Sequence, residues 1–203
     1  MTDPDEPARS RGRYPKGIAR RQEILDKAIE VFAQRGSKKT SLRAIAQEVG
    51  VTHAALTHYF GSLEELLVAV YRESERRSND WQPVPEHASP AKMMEISAEQ
   101  NQSIPGLVQL YSMLVATALE DNHPAAQEFA TGRFSRLRTE MAERVRGLQA
   151  SRHLRSDLDP DLVAALVIAA SDGLQTQWLL DPSVDHKGAL EMLDRLLAGG
   201  ADA

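Results

Sequence analysis

Two eight-residue stretches, LRAIAQEV (42–49) and HAALTHYF (53–60), are joined by Gly50, Val51 and Thr52. That arrangement leaves the chain few options. A glycine between two short amphipathic helices permits a tight left-handed turn, and the pair makes a helix-turn-helix. Ala44, Ile45 and Val49 supply apolar surface on the first helix, and Val51 and Leu56 lock the second onto it. Ala46 is small enough to let the two approach closely. Ser41 is placed to cap the first helix and Thr52 the second.

The second helix of such a unit enters the DNA major groove, where short hydrogen-bonding groups read base edges and flanking donors meet phosphate oxygens. His53, Ala54, Ala55, Thr57, His58 and Tyr59 are the residues left for its outer face. Thr, His and Tyr supply donors and acceptors, and Ala54 or Ala55 suits a thymine methyl. Thr40, Ser41, Arg43 and Thr52 are expected to hold the backbone, aided by amides at a helix N-terminus.

Other chemistry fits these residues poorly. His53 and His58 are five apart, which does not stack two imidazoles on one helical face, and no carboxylate lies between them. No metal site is expected. No Ser/His/Asp arrangement, glycine-rich phosphate loop or HExxH spacing occurs, so the chain is not expected to be an enzyme, and no cofactor is expected.

Charge is distributed unevenly. The chain carries a net charge of −5, but residues 1–61 hold eleven Lys/Arg against seven Asp/Glu, and the remainder is strongly acidic. A basic N-terminal part on an acidic body suggests that one end meets a polyanion. There is no cysteine, which excludes disulfides and thiolate chemistry. The N-terminus has no apolar signal-peptide core, and LVAALVIAAS (162–171) is about half a membrane span. The expectation is a cytoplasmic protein without a membrane partner.

The organisation reads as all-α, with about nine helices in two parts. Residues 1–17, rich in Pro, Gly and Arg, read as a disordered basic arm. Residues 18–78 hold the helix-turn-helix domain, with Ile24, Ala28, Val31 and Phe32 on one face of a first helix closed near Gly36. Ser62 and Glu65 form a capping box that opens a connecting helix. Residues 79–89 are proline-dense and read as a linker, and residues 90–203 as a larger helical ligand-binding and dimerisation domain. Prolines 90, 105, 124 and 160 mark first turns of helices over about 90–101, 105–121, 124–150 and 160–180, with a last helix over 186–198.

The stretch RRQEILDKAIEVFAQRGSKKTSLRAIAQEVGVTHAALTHYFGSLEELLVAVY, about 50 of the 203 residues, resembles the N-terminal domain of the TetR family of bacterial regulators. The resemblance rests on the first-helix stripe, Gly36, Thr40-Ser41, Ile45-Ala46, Gly50-Val51 and Tyr59-Phe60. It implies an Ω-shaped all-α homodimer in which each chain joins a three-helix DNA-binding domain to an effector-binding, dimer-forming body. Three positions depart from the family pattern. Thr57 stands where a tyrosine is usual, Ala54 at or near a usual glycine, and Leu63 where a phosphate-contacting lysine is common. Arg9, Arg11, Arg13 and Lys16 of the arm offer compensating charge.

In the body, PDLVAALVIAASDGLQTQWLLDP is apolar nearly all round and slim in alanine. With KGALEMLDRLLAG it is expected to form half of a four-helix interface across a two-fold axis, as the resemblance also implies. The interface candidates are Leu162, Ala165, Leu166, Ala169, Leu174, Leu190, Leu193 and Leu197. A dimer of this kind demands a near-palindromic duplex site. Asp172, Gln175 and Gln177 beside Trp178 require polar partners in the dimer or in a pocket. Pocket candidates are Met93, Met94, Tyr111, Met113, Phe134, Gln175 and Trp178. The function expected is a dimeric transcriptional regulator, a repressor released from its operator by a small-molecule effector. The alternative is a helical dimer controlled by a protein partner, with DNA binding architectural or absent.

Overall fold

The computed structural model describes residues 15–35, 42–81, 84–104 and 106–198. Among them the regular elements are all helices: α1 (Pro15–Arg35), α2 (Leu42–Val49), α3 (His53–Phe60), α4 (Leu63–Trp81), α5 (Pro90–Ser103), α6 (Leu107–Thr117), α7 (Pro124–Ala150), α8 (Pro160–Leu180) and α9 (His186–Leu197). The expected Gly36 break, Thr40, Ser41, Pro105 and residues 1–14 of the arm lie outside the described residues.

Helices α1 to α3 and the start of α4 form the head. Ile24, Ala28 and Val31 of α1 meet Ile45 and Ala46 of α2, Leu56 and Phe60 of α3, and Leu66 and Val70 of α4. Each of the larger side chains, taken fully out of water, contributes about 1.5–3 kcal/mol, which lets eight-residue helices persist that would be marginal alone. Gly50 sits at φ 72°, in the left-handed region that the turn requires. The Val51 N–H then donates to the Ala46 carbonyl at 2.9 Å and pins the turn.

The same core continues into the body through Leu107, Leu110 and Leu114 of α6 and Phe129 of α7. A second core joins α5, α7, α8 and α9 through Met94, Met141, Val145, Val163, Val167 and Leu190. Prolines start α5, α7 and α8, and Ser89 and Asp159 cap two of them by accepting from Lys92 N–H and from the Asp161 and Leu162 N–H groups. These are the starts that the proline spacing predicts.

Some boundaries differ from expectation. Helix α1 begins at Pro15, inside the stretch read as an arm, because proline is well suited to a first turn. Helix α4 runs on to Trp81, beyond the expected end at 78. Helix α6 is shorter than 105–121, for it starts after Gly106 at φ 79° and gives way to turns after Thr117. Between α4 and α5, Nη1 of Arg144 on α7 lies 3.1, 2.6 and 3.1 Å from the carbonyl oxygens of Pro85, Glu86 and Ala88. Those carbonyls belong to no helix, and the guanidinium serves them together with the Ala88 N–H, which donates to the Pro85 carbonyl at 3.0 Å.

Helix α8 is long and apolar enough to cross a membrane by length and composition alone. Here it is a body helix with one side packed: Val163, Ala164, Val167 and Ile168 are buried against α7 and α9, and its opposite side is open.

Candidate functional site

Helix α3 owes its position to two residues. Leu56 and Phe60, 0% and 4% exposed, anchor one side of it in the head core. Residues on the far side of a helix so anchored must face outward. Ala54, Thr57 and His58 occupy that outer side and are exposed, as is His53 at the first turn. Ala55 and Tyr59 lie on the flank, half-buried, with the Tyr59 ring edge-on to His58 at 5.6 Å between centroids. Thr52 caps the helix, its hydroxyl accepting from Ala55 N–H at 3.1 Å. The Thr57 hydroxyl donates to the His53 carbonyl at 3.1 Å, which turns its lone pairs and methyl outward. Arg43 of α2 and His53 of α3, on either side of the turn, line one shallow hollow with Gln47.

The turn into α4 is tight. Gly61 sits at φ 75°, and Ser62 accepts from Glu65 N–H at 3.1 Å. The expected capping box is only half made, because the Ser62 N–H donates to the Phe60 carbonyl and the Glu65 carboxylate folds over Gly61.

Helix α4 is then fastened on two sides. Toward α1, Glu73 accepts from Gln22 at 3.0 Å and from Arg76 and Arg77, and Arg77 also pairs with Asp26. The Arg76 hydrogen bonds, with Arg77, hold the Glu73 carboxyl down at about 2 against the opposing effect of burial. Toward the body, Glu75 pairs with Arg133 of α7, and Arg136 stands 3.5 Å away.

Arg133 belongs to a buried polar cluster. Its guanidinium lies over the rings of Tyr71 and Tyr111, at 5.4 and 5.0 Å from their centroids, and those rings are stacked. Tyr111 donates to Asp172 of α8 at 2.9 Å. Burial pushes the Asp172 carboxyl above its usual range, and the Tyr111 hydrogen bond and the Arg133 charge only partly offset this. Burial likewise raises the phenols of Tyr71 and Tyr111, which stay protonated. Nε of Arg133 is buried without a hydrogen-bond partner among the described residues.

The residues expected to line a pocket are spread over the two cores. Met93, Met94, Tyr111 and Gln175 are buried. Met113 packs against the first core and Met94 against the second, with Phe134 touching both. Trp178 is half-buried near the end of α8. Tyr111 is the member that enters the polar cluster, and Asp172 finds there the partner its position required. Tyr71, Glu75 and Arg133 were not expected in it, for on helical sequence alone Arg133 looks like one more solvent-facing charge.

The expected interface residues divide. Leu162 and Leu166 are 64% and 66% exposed, and Ala165 and Ala169 lie exposed beside them. Leu190 is a correction: it is wholly buried in the second core and has no surface to offer a partner. Leu174, Leu193 and Leu197 are half-buried against that same core. The apolar groups that α9 does expose are Met192 and Leu196. Helix α9 carries two apolar stripes, and the one through Leu190, Leu193 and Leu197 is used by its own chain.

Comparison with known proteins settles the ancestry. Residues 24–70 match the family model of bacterial regulatory proteins of the tetR family, and residues 105–201 match the C-terminal domain of BetI-type transcriptional repressors. A TetR-family member of known structure from Streptomyces coelicolor A3 is 30% identical, with a TM-score of 0.58, over 88% of this chain and 98% of that one. The chain belongs to the TetR family. Its helix-turn-helix lies within the stretch matched by the family model of bacterial regulatory proteins. The BetI regulator of Brucella anthropi is 43% identical over 53 residues, which are 26% of this chain and 27% of that protein. The match thus spans about a quarter of that relative's length. A protein from Saccharomonospora viridis, solved in complex with choline, shares the fold at 22% identity and a TM-score of 0.66, over 88% of this chain and 95% of that one. In this TetR-family chain the helix-turn-helix is α2–α3, and α4 connects it to the body.

Proposed function

We propose that this regulator is a homodimeric repressor that reads a near-palindromic operator and leaves it when a small molecule binds the body. The observation that carries the proposal is the outer row Ala54, Thr57 and His58 on a helix held rigid by Leu56 and Phe60. In this reading Thr57 and His58 meet base edges, Ala54 or Ala55 a thymine methyl, and His53, Tyr59, Thr52 and Arg43 the flanking phosphates. Thr40 and Ser41 join the phosphate contacts. The dimer forms through Leu162, Ala165, Leu166 and Ala169 of α8 with Met192 and Leu196 of α9, since an exposed apolar face of this kind marks an interaction surface.

The effector's site of action is the cluster of Tyr71, Tyr111, Arg133 and Asp172. Two aromatic faces and a carboxylate suit an organic cation, and a protein of the same fold holds choline. Such a ligand competes with Arg133 for the rings. Because Arg133 also grips Glu75, displacing it changes the hold on α4, the helix that carries the head. An effector acts only through its differential affinity for the DNA-competent and incompetent states.

A second reading, a helical dimer governed by a protein partner, draws on the packed surroundings of Met94, Met113 and Phe134. One experiment separates the two. Random duplex DNA is selected by the purified protein and sequenced, and retention of the selected duplex is then measured with and without choline. A near-palindromic motif released by the cation supports the first reading. Folded protein that enriches no motif overturns it in favour of the second.

A further inference from the structure

A cleft of about 510 Å³ opens between the head and the body. Its walls come from α1, α3, α4 and α7, and it is separate from the Arg133 cluster. The volume falls within the range of small-ligand pockets. Leu25, Phe60 and Val68 give it a buried apolar floor, with Ala69 beside them.

Two arginines at its edge are placed unusually. Arg21 of α1 lies over the Phe60 ring at 4.8 Å, and Arg72 of α4 over the Phe129 ring at 5.8 Å. Neighbouring Arg20, Arg76 and Arg77 are each paired with a carboxylate. Arg21 and Arg72 pair with none among the described residues. The cleft's own acids do not serve them. Glu73 is taken up by Gln22, Arg76 and Arg77. Glu65 folds over Gly61 in the first turn of α4, where the helix end already favours it. Glu128 stands exposed on the α7 wall.

We propose that this cleft binds a small monocarboxylate with an aromatic body, its carboxylate held by Arg21 and Arg72 and its ring laid on the Leu25–Val68 floor. A guanidinium held over a ring without a carboxylate partner has donors to spare, and those donors match a carboxylate. A ligand here touches α1, α3 and α7 at once, so it holds the head at one angle to the body. It is a second input, distinct from the cation proposed for the buried cluster, and its binding does not depend on any DNA reading.

The test is a titration of the full chain with para-trifluoromethylbenzoate, followed by fluorine NMR. We expect saturable binding, weakened about tenfold by Arg21→Gln and by Arg72→Gln, as for loss of a charged hydrogen bond. Arg195→Gln, in another cleft, is expected to leave it unchanged, and the uncharged benzamide analogue is expected not to bind. Circular dichroism on each variant checks folding, which these exposed positions should leave intact. Absent saturation, or equal binding by both variants, overturns the proposal. Equal displacement by inorganic phosphate overturns it too, because the apolar floor would then play no part. Displacement by duplex DNA would reassign the two arginines to the phosphate backbone.

Discussion

Glu64, in the first turn of α4, accepts a hydrogen bond from the backbone N–H of Ala126, and its second oxygen stands 3.0 Å from Nδ1 of His123. A carboxylate from the start of one helix thus completes the start of another, four residues after α3 ends. Burial resists ionisation of Glu64, but the Ala126 N–H and His123 outweigh it and lower its pKa. A lowered folded-state pKa means stability present above the ordinary value of 4.5 and lost as pH falls below it. Glu64→Ala is expected to cost about 1–2 kcal/mol at neutral pH, the range for loss of a charged helix cap. Urea midpoints read this, and an unchanged midpoint would dismiss the link.

Glu73 makes the corresponding tie between α1 and α4. Its carboxyl is held at about 2, so its contribution is complete above pH 4.5 and fades between there and 2. Glu73→Gln should therefore destabilise by about 1–2 kcal/mol at neutral pH, after allowance for solvent screening. The gap between variant and parent should close as pH is lowered through that window. A gap that stays constant to acid pH would assign the loss to packing.

Asp172 has the opposite sign. Its folded pKa lies above 3.8, so ionising it opposes folding as pH rises through the folded value. Asp172→Asn is expected to raise stability at neutral pH, because there the buried carboxylate must be held ionised against its raised pKa. The gain should vanish below the ordinary aspartate range. Thermal melts at two pH values decide it, and a loss at neutral pH would mean that Arg133 depends on the charge.

For the recognition helix, Thr57→Ala and His58→Ala should each weaken the selected site by about 1–3 kcal/mol while leaving random duplex nearly unchanged. Fluorescence anisotropy at one fixed salt concentration measures both. Equal loss on the two duplexes would remove base reading from these residues.

Two leucines should part company. Leu166→Arg is expected to give folded monomers in sedimentation, since it puts a charge on the open face of α8. Leu190→Ala should keep the oligomeric state and cost about 2–5 kcal/mol of folding stability, as a cavity in a packed core does. The reverse pattern would move the interface onto the Leu190 stripe.

These contrasts show what the sequence could and could not disclose. The ends of α3, α7 and α8 were legible because caps and prolines act within one turn of the residues that bear them. The outer row of α3 was legible for a similar reason, with Leu56 and Phe60 fixing by periodicity which side is left. Leu190 misled because periodicity reports which residues share a stripe but not whether the chain itself occupies it. The partners of Glu64, Glu75 and Asp172 lie about sixty residues away, and no local signal connects such pairs.

The hold of Arg144 on the backbone of Pro85, Glu86 and Ala88 bears on how force passes through the molecule. A stretch pinned to α7 cannot serve as a pull-cord: tugging on it from α5 would be spent on the arginine before reaching α4. Under the proposed release the head is steered from the flanks of α4, by Glu64 at one end and Glu75 further along, like a tiller worked at two points.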